Sequence, residues 1–250
     1  MARYVFMGSP EIAVPSLKAL QAAGHEGLAI VTQPDKPKGR GQILSSPAVK
    51  VAAEALGLKI LQPEKLKGNL EFVELLKQLQ PELILVVAYG KILPPEILKI
   101  PEIACINLHF SLLPRYRGAS CVAYALLEGQ EESGVTTIVM DEGLDTGPIL
   151  LQWSEPILPR DTTGTLSARL ADLGAAALVQ TVTGIEQGNI HPVPQDASAA
   201  SFAPLLRKEE GRIDWSKPAA ELFNRYRGLS PWPGVFSFLE GKRIFLTELG

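Results

Sequence analysis

Two patterns of apolar residues alternate along the first half of the chain. Short, mostly apolar runs predict strands at residues 4–7, 28–31, 59–61, 83–87 and 104–109. The run at 83–87 is continuous and predicts a central strand that is buried on both faces of a sheet. Between these runs, apolar residues recur every three or four positions, which predicts amphipathic helices beginning near Pro15, Pro47 and Leu70. This alternation of strand and helix predicts a parallel sheet with right-handed crossover connections.

The second half of the chain is more varied. Two helices and two strands are predicted there, the helices over residues 121–127 and 162–188 and the strands over residues 134–140 and 149–152. A segment rich in Pro, Ser and Ala follows at residues 192–204 and has the composition of a linker. Near the end, two apolar runs flank Glu240–Gly241, which predicts a β-hairpin.

These elements predict an α/β fold: a Rossmann-like, mostly parallel sheet with helices on both faces, followed by the start of a smaller, OB-like β-rich domain. We place the first domain at residues 1–190, the linker at 191–206 and the beginning of the second domain at 207–250. Because a single hairpin is only marginally stable, we expect the second domain to be incomplete in this chain.

Composition narrows the class of protein. The chain has 250 residues, of which 46% are hydrophobic and 20% charged, and its net charge is −3. This is ordinary globular composition. The chain is not basic overall, so its net charge does not indicate a nucleic-acid partner. The two cysteines lack metal-ligand spacing, and no apolar run approaches membrane-spanning length. We therefore expect reduced thiols, no metal site and a cytoplasmic protein.

Candidate chemistry lies at the end of the strand predicted at 104–109. Asn107 and His109 are two residues apart, so they leave an extended backbone on the same face. An amide and an imidazole side by side suit a carbonyl oxygen that becomes negative during a reaction. Asp145, 36 residues after His109, offers a carboxylate that can orient the imidazole. Taken singly, each residue also has an ordinary structural explanation.

Two loops have features that bear on ligand binding. The turn at Gly8–Ser9–Pro10 lacks the spacing of a dinucleotide-binding loop, and Pro10 removes an amide that would face a pyrophosphate, so dinucleotide binding is rejected. Residues 35–50 carry four positive charges against one negative. Composition alone predicts a solvated surface loop there, and its length is unusual for an α/β connection.

The run from Asn107 to Gly118, taken with the run from Asp141 to Gly147, resembles the signature of the folate-dependent formyltransferases. Within that family, residues 33–41 and 208–215 are similar to the branch that formylates methionyl-tRNA. The resemblance implies transfer of a formyl group from 10-formyltetrahydrofolate to the α-amine of initiator methionyl-tRNA. It also implies that Asn107 and His109 donate to the formyl oxygen, while Asp145 orients His109 and helps to remove the amine proton.

Further roles follow from the same resemblance. It implies a folate-binding set made of Ser111, Leu112, Leu113, Pro114, Ala88, Tyr89 and Gly90. It implies tRNA contacts by Lys36, Lys38 and Arg40, on a loop that we expect to be disordered until tRNA binds, and an apolar methionyl pocket that includes Ile12. The enzyme is expected to be a monomer. Two alternatives stay open: a formyltransferase for an amino sugar nucleotide, and a folate- or RNA-binding module that has lost catalysis.

Overall fold

The computed structural model describes residues 1–38 and 43–247, with the backbone alone at Lys38 and Ile43. These residues form two compact units, each built from three separated stretches of the chain. Unit 1 comprises Met1–His109, Thr136–Gln152 and Ala171–Gln195. Unit 2 comprises Phe110–Val135, Trp153–Leu170 and Asp196–Gly250. The linear division at residues 190 and 206 stays a prediction.

Strands and helices alternate through the first half of the chain, as the apolar pattern predicts. In chain order the strands are β1 Arg3–Gly8, β2 Glu26–Val31, β3 Lys36–Lys38, β4 Ile43–Ser45, β5 Ile60–Leu61, β6 Leu83–Val87, β7 Ala104–His109, β8 Glu132–Val139, β9 Ile149–Pro156, β10 Val235–Leu239 and β11 Lys242–Leu246. The α-helices are α1 Val14–Ala22, α2 Ala48–Ala55, α3 Leu70–Leu79, α4 Pro95–Leu98, α5 Cys121–Leu127, α6 Thr163–Glu186 and α7 Ala219–Leu229.

The main sheet has seven strands in the order β5-β2-β1-β6-β7-β8-β9. β1, β2, β5, β6 and β7 are mutually parallel, and β8 runs antiparallel to β7. The carboxyl ends of β1, β2, β6 and β7 therefore lie on one edge of the sheet. The strand order reverses between β1 and β6, which is where open α/β sheets form their binding crevice. The predicted fold class is confirmed.

The core of unit 1 lies beside β1 and β6. All five residues of β6 are buried, as expected for a central parallel strand covered on both faces. On one face, Val5, Ile84 and Val86 pack against Phe72 and Leu76 of α3. This rigid centre fixes the strand ends that carry the candidate site.

Unit 2 has its own smaller core. Its buried residues come from α5, from the segment before α7, from the end of α7 and from the terminal hairpin, and they are Ala123, Leu206, Ile213, Leu229 and Val235. β10 and β11 pair in antiparallel register, with Val235 opposite Leu246. Glu240 and Gly241 both have positive φ, 50° and 76°, as a two-residue hairpin turn of type I′ requires. The predicted hairpin is confirmed.

The basic segment after β2 differs from the prediction of a loop. Its described flanks form an antiparallel ribbon, in which Lys36 of β3 lies opposite Ser45 of β4. Pro37 lies within β3, where the missing amide proton is tolerated because a two-stranded ribbon consists only of edge strands. Residues 39–42, including Arg40, lie outside the described residues, and so does the expectation that this tip is disordered.

None of the helices in the described part of the chain is long and apolar enough to cross a membrane.

Candidate active site

Three predicted residues of unit 1 meet at the carboxyl end of β7. The Nδ2 atom of Asn107 donates to Oδ1 of Asp145 at 3.4 Å. The Nδ1 atom of His109 lies 3.7 Å from Oδ2 of the same carboxylate. His109 is buried, with 6% of its surface exposed, so this ion-pairing geometry is little weakened by solvent. One carboxylate therefore faces both the amide and the imidazole, as the spacing along β7 predicts.

The loop that carries Asp145 is tightly braced. Asp145 has φ of 52°, the left-handed region, which a residue with a side chain occupies only where its surroundings hold it. Inside the loop, Oδ1 of Asp141 accepts from the Gly143 amide at 2.9 Å and from Oγ1 of Thr146 at 2.6 Å. A Cβ on Gly147 would overlap the carbonyl oxygen of Val139, so only glycine fits there.

Gln195 also contacts this loop, and the sequence reasoning missed it. Its Nε2 atom donates to the carbonyl oxygens of Asp145 at 2.8 Å and of Gly147 at 2.7 Å. Gln195 lies in the segment predicted to be a linker, where composition alone indicates no fixed partner. The structure instead places it in unit 1. A lone polar residue in a Pro- and Ser-rich segment carries no pattern that would have revealed the contact.

The turn after β6 lies on the same edge of the sheet as His109. Ala88 and Gly90 have positive φ, 47° and 77°, so the chain bends sharply back on itself there. Gln33, which follows β2, donates from Nε2 to the carbonyl oxygen of Tyr89 at 2.9 Å. Through this bond the loops after β2 and β6 are connected.

Tyr89 belongs to the predicted folate-binding set, but its side chain is buried in the core. Its ring is buried in the core of unit 1, and its hydroxyl has no hydrogen-bond partner among the described residues. Burial raises the pKa of Tyr89 to about 12, which keeps the phenol neutral. Its side chain therefore packs in the core, and only its backbone lies at the edge.

The predicted folate segment Ser111–Pro114 belongs to unit 2. The Ser111 hydroxyl is buried and donates to the carbonyl oxygen of Arg115 at 2.7 Å. The amide of Arg115 donates to the carbonyl oxygen of Leu112 at 3.1 Å, which closes a tight turn. Leu113 is buried, whereas Leu112 and Pro114 are partly exposed. The assignment of this segment to folate stays a prediction.

The base of the β3–β4 ribbon is held by Asp35. Its carboxylate accepts from Nζ of Lys50 at 2.7 Å, from Oγ of Ser46 at 3.2 Å and from Nε2 of Gln62 at 2.8 Å. Hydrogen bonds from Lys50 and Gln62 hold the pKa of Asp35 below its usual range. Lys50, one of the four basic residues of this segment, is therefore ion-paired with Asp35.

The remaining residues that we predict to contact tRNA or methionine are Lys36, Lys38, Arg40 and Ile12. Lys36 is exposed and donates from Nζ to Oε1 of Gln33 at 2.9 Å. Arg40 and the side chain of Lys38 lie outside the described residues. Ile12 is partly buried in a short 3-10 helix, Glu11–Ala13, directly after β1. The assignments of these four residues to tRNA or methionine stay predictions.

No group of three or more His, Cys, Asp or Glu side chains that could hold a metal ion occurs within residues 1–38 and 43–247.

Comparison with known proteins identifies the family. A model of the formyl transferase family matches residues 2–182, and a model of the formyl transferase C-terminal domain matches residues 205–250. Methionyl-tRNA formyltransferase of Caldanaerobacter subterraneus subsp. tengcongensis is 51% identical over 242 residues, which is 97% of this chain and 78% of that protein. The enzyme of Desulfotalea psychrophila is 50% identical over 99% of this chain and 77% of its own length.

Solved structures share the fold at low sequence identity. An N-formyltransferase from Helicobacter canadensis, in complex with folinic acid and dTDP-3-aminofucose, has a TM-score of 0.75 at 21% identity, covering 98% of this chain and 86% of that one. HypX from Aquifex aeolicus, in complex with tetrahydrofolic acid, has a TM-score of 0.72 at 17% identity, covering 98% and 37%. These likenesses concern the fold alone. Identity of about one half over nearly the whole chain decides the branch, and the chain belongs to the methionyl-tRNA formyltransferases of the formyl transferase family.

Proposed function

We propose that this chain transfers the formyl group of 10-formyltetrahydrofolate to the α-amine of initiator methionyl-tRNA, with Asn107, His109 and Asp145 as its catalytic residues. The observation that carries the proposal is the shared carboxylate of Asp145, which faces both Asn107 and His109 at the carboxyl end of β7. The family membership, at 51% identity to a methionyl-tRNA formyltransferase over 97% of this chain, supports the choice of reaction.

Asn107 supplies the first donor to the formyl oxygen. Its Nδ2 atom has two N–H groups, and the contact with Asp145 uses one of them. The second N–H can point at the formyl oxygen as that oxygen gains negative charge. One such donor is typically worth about 3–4 kcal/mol of transition-state stabilisation.

His109 supplies the second donor. Its Nδ1 atom faces Asp145 at 3.7 Å, and we assign Nε2 as the nitrogen that contacts substrate. When both ring nitrogens carry a proton, Nδ1 donates to the carboxylate and Nε2 donates to the formyl oxygen. Asp145 therefore keeps the imidazole in one orientation during the reaction.

Asp145 also provides a base for the attacking amine. An α-amine has a pKa of about 7.7–8.0, so an uncharged fraction exists near neutral pH and needs little activation. Once the amine nitrogen bonds to the formyl carbon, the bond from that carbon to the folate nitrogen must break, and tetrahydrofolate leaves as the protonated amine. The attacking nitrogen must also lose a proton. The carboxylate of Asp145 is 16% exposed and accepts that proton directly or through one water.

The edge of the sheet suits the formyl donor, which supplies the electrophilic carbon when bound. The turn at Ala88–Gly90 offers backbone groups beside the end of β6, and glycine at position 90 keeps this edge free of a side chain. A Cβ on Gly90 would lie 2.8 Å from Nε2 of Gln33, so a larger residue would disturb the bond to Tyr89. The buried phenol of Tyr89 takes no part in this contact.

The β3–β4 ribbon is proposed to contact tRNA. Lys36, Lys38 and Arg40 lie on or between its strands, and the ribbon follows β2, whose carboxyl end shares the edge of β7. Phosphate contacts depend on such charges and give binding its salt dependence. The ion pair with Lys50 leaves the remaining basic side chains as the proposed phosphate ligands.

The test is transfer of isotope from labelled 10-formyltetrahydrofolate to methionyl-tRNA, with an amino sugar nucleotide as the competing acceptor. We expect label on the tRNA alone. The variants His109→Ala and Asp145→Asn should lose transfer while their melting temperatures stay near that of the parent. Transfer to the sugar alone would reject the acceptor, and a variant within a few-fold of the parent would reject its assigned role.

A further inference from the structure

Gln195 makes contacts that its place in the sequence does not suggest. Both N–H groups of one side-chain amide are used, one on the carbonyl oxygen of Asp145 and the other on that of Gly147. The two distances, 2.8 and 2.7 Å, are those of well-formed hydrogen bonds. Because the two carbonyls flank Thr146, this single side chain orients the backbone on both sides of one residue.

Gln195 restrains a part of the loop that the bonds of Asp141 do not include. Asp141 braces the loop from within, through Gly143 and Thr146. None of these bonds involves the backbone of Asp145, which is the residue in the left-handed conformation. The left-handed region is uncommon for residues with a side chain, although Asp enters it more readily than most. Gln195 therefore contacts the left-handed residue itself, 50 positions away in the sequence.

We propose that Gln195 is a positioning residue for formyl transfer, acting through the backbone of Asp145. The inference rests on the proposed function of Asp145. The distance from Asn107 to the carboxylate is 3.4 Å and that from His109 is 3.7 Å, so both contacts are near their limits. A small shift of the Asp145 backbone would break one or both.

The variant Gln195→Met tests the proposal, because it keeps the length of the side chain and removes both donors. We expect kcat to fall about 10- to 100-fold, as a displacement of order 1 Å in a catalytic group costs. The KM for methionyl-tRNA and the KM for the formyl donor should both stay within about two-fold, because no bond from Gln195 to either substrate is involved. A purely structural role would instead lower the fraction of active enzyme, so kcat is referred to the active-site concentration titrated with the formyl donor. A kcat per active site equal to that of the parent would overturn the proposal.

Two further variants separate the amide from its surroundings. Gln187 is an exposed glutamine of the same unit, and Gln187→Met should leave all constants unchanged. Gln195→Asn keeps the amide but is one methylene shorter, so it should retain more activity than Gln195→Met. If Gln195→Met does not fold, the kcat of Gln195→Asn relative to the parent decides the proposal: an unchanged kcat would overturn it.

A double mutant identifies the route of the effect. If Gln195 acts through Asp145, then Gln195→Met should cost almost nothing further in the residual transfer rate of an Asp145→Asn background. A full additional loss, measured by single-turnover transfer with excess enzyme, would show that Gln195 acts elsewhere.

A spectroscopic measurement keeps this test independent of activity. The chain has three histidines, so the imidazole signals of His109 can be assigned by nuclear magnetic resonance with His109→Gln. We expect Gln195→Met to move these signals in the same direction as Asp145→Asn does, and Gln187→Met to leave them in place. Unchanged His109 signals in Gln195→Met would overturn the inference. Failure of the parent to formylate methionyl-tRNA would overturn the proposed function instead, and the spectra would still decide the placement of Asp145.

Discussion

Replacing Gly147 by alanine is the most direct perturbation of the Asp145 loop. The added Cβ would overlap the carbonyl oxygen of Val139, and real Cβ atoms essentially never come within 3.0 Å of such an atom. Val139 is fixed as the last residue of β8, and its amide donates to the carbonyl oxygen of Pro148 at 3.0 Å. The loop, and not the strand, is therefore the part that moves.

The size of the effect follows from this displacement. Relieving the overlap requires a backbone shift of about 1 Å, two residues from Asp145, and such shifts in a catalytic group cost on the order of 100-fold in rate. The distance between Asn107 and Asp145 is 3.4 Å, which is already at the upper limit for a hydrogen bond, so a shift of Asp145 away from Asn107 breaks the bond. Overpacking of this kind also costs about 1–3 kcal/mol of unfolding free energy.

The assay measures kcat for formyl transfer together with the melting temperature. A loss of about 2 kcal/mol corresponds to a fall of roughly 4–8 °C for a chain of this size. Gly164 is a matched control, because it is exposed in α6, where an added Cβ would lie 3.3 Å from its nearest neighbour. Parental kcat and melting temperature in Gly147→Ala would refute the argument that this loop has no room to move.

Three further predictions concern the ribbon and the methionyl pocket. The pKa of Asp35 is lowered in the folded protein, so its ion pair with Lys50 is intact above the usual carboxyl pKa of about 3.9 and is lost as pH falls through the lower folded pKa. An acid titration of the ribbon amides by nuclear magnetic resonance should show this step in the parent and not in Asp35→Asn. Arg40→Ala should raise the KM for tRNA and flatten its salt dependence, while Lys18→Ala, on an exposed position of α1, should do neither. Ile12→Asp should raise the KM for methionyl-tRNA without changing that for the formyl donor, and an unchanged KM would place the methionyl pocket elsewhere.

The main sheet was predictable because its signals are local. The strand ending at Val87 is a continuous apolar run, and the strand ending at His109 begins as one. The placement of Asn107 and His109 on one face follows from the two-residue period of a strand. The left-handed residue Ala88 interrupts this period, so the period alone does not indicate that the side chain of Tyr89 is buried in the core. The assignment of Ala88–Gly90 to folate stays a prediction.

Two features were not predictable because they depend on partners distant in the sequence. The ribbon after β2 has few apolar residues and a proline, so its strands are defined by pairing between Lys36 and Ser45 and by the bonds to Asp35, not by hydrophobicity. Gln195 bonds to a loop 50 residues earlier, and no spacing rule connects the two. Side-chain bonds to distant backbone carbonyls leave no periodic signal in a sequence.

The three-segment construction of unit 1 has a consequence for the order in which the protein matures during synthesis. The ribosome adds Asp145 to the chain well before Gln195. At about 5–20 residues per second, synthesis of the 50 intervening residues takes roughly 3–10 s. During that interval β7 and its two polar side chains are already present in the nascent chain, whereas the amide that holds the catalytic loop is not. A nascent chain arrested between these two points would therefore have every proposed catalytic residue and would still lack the two bonds from Gln195 to the loop of Asp145.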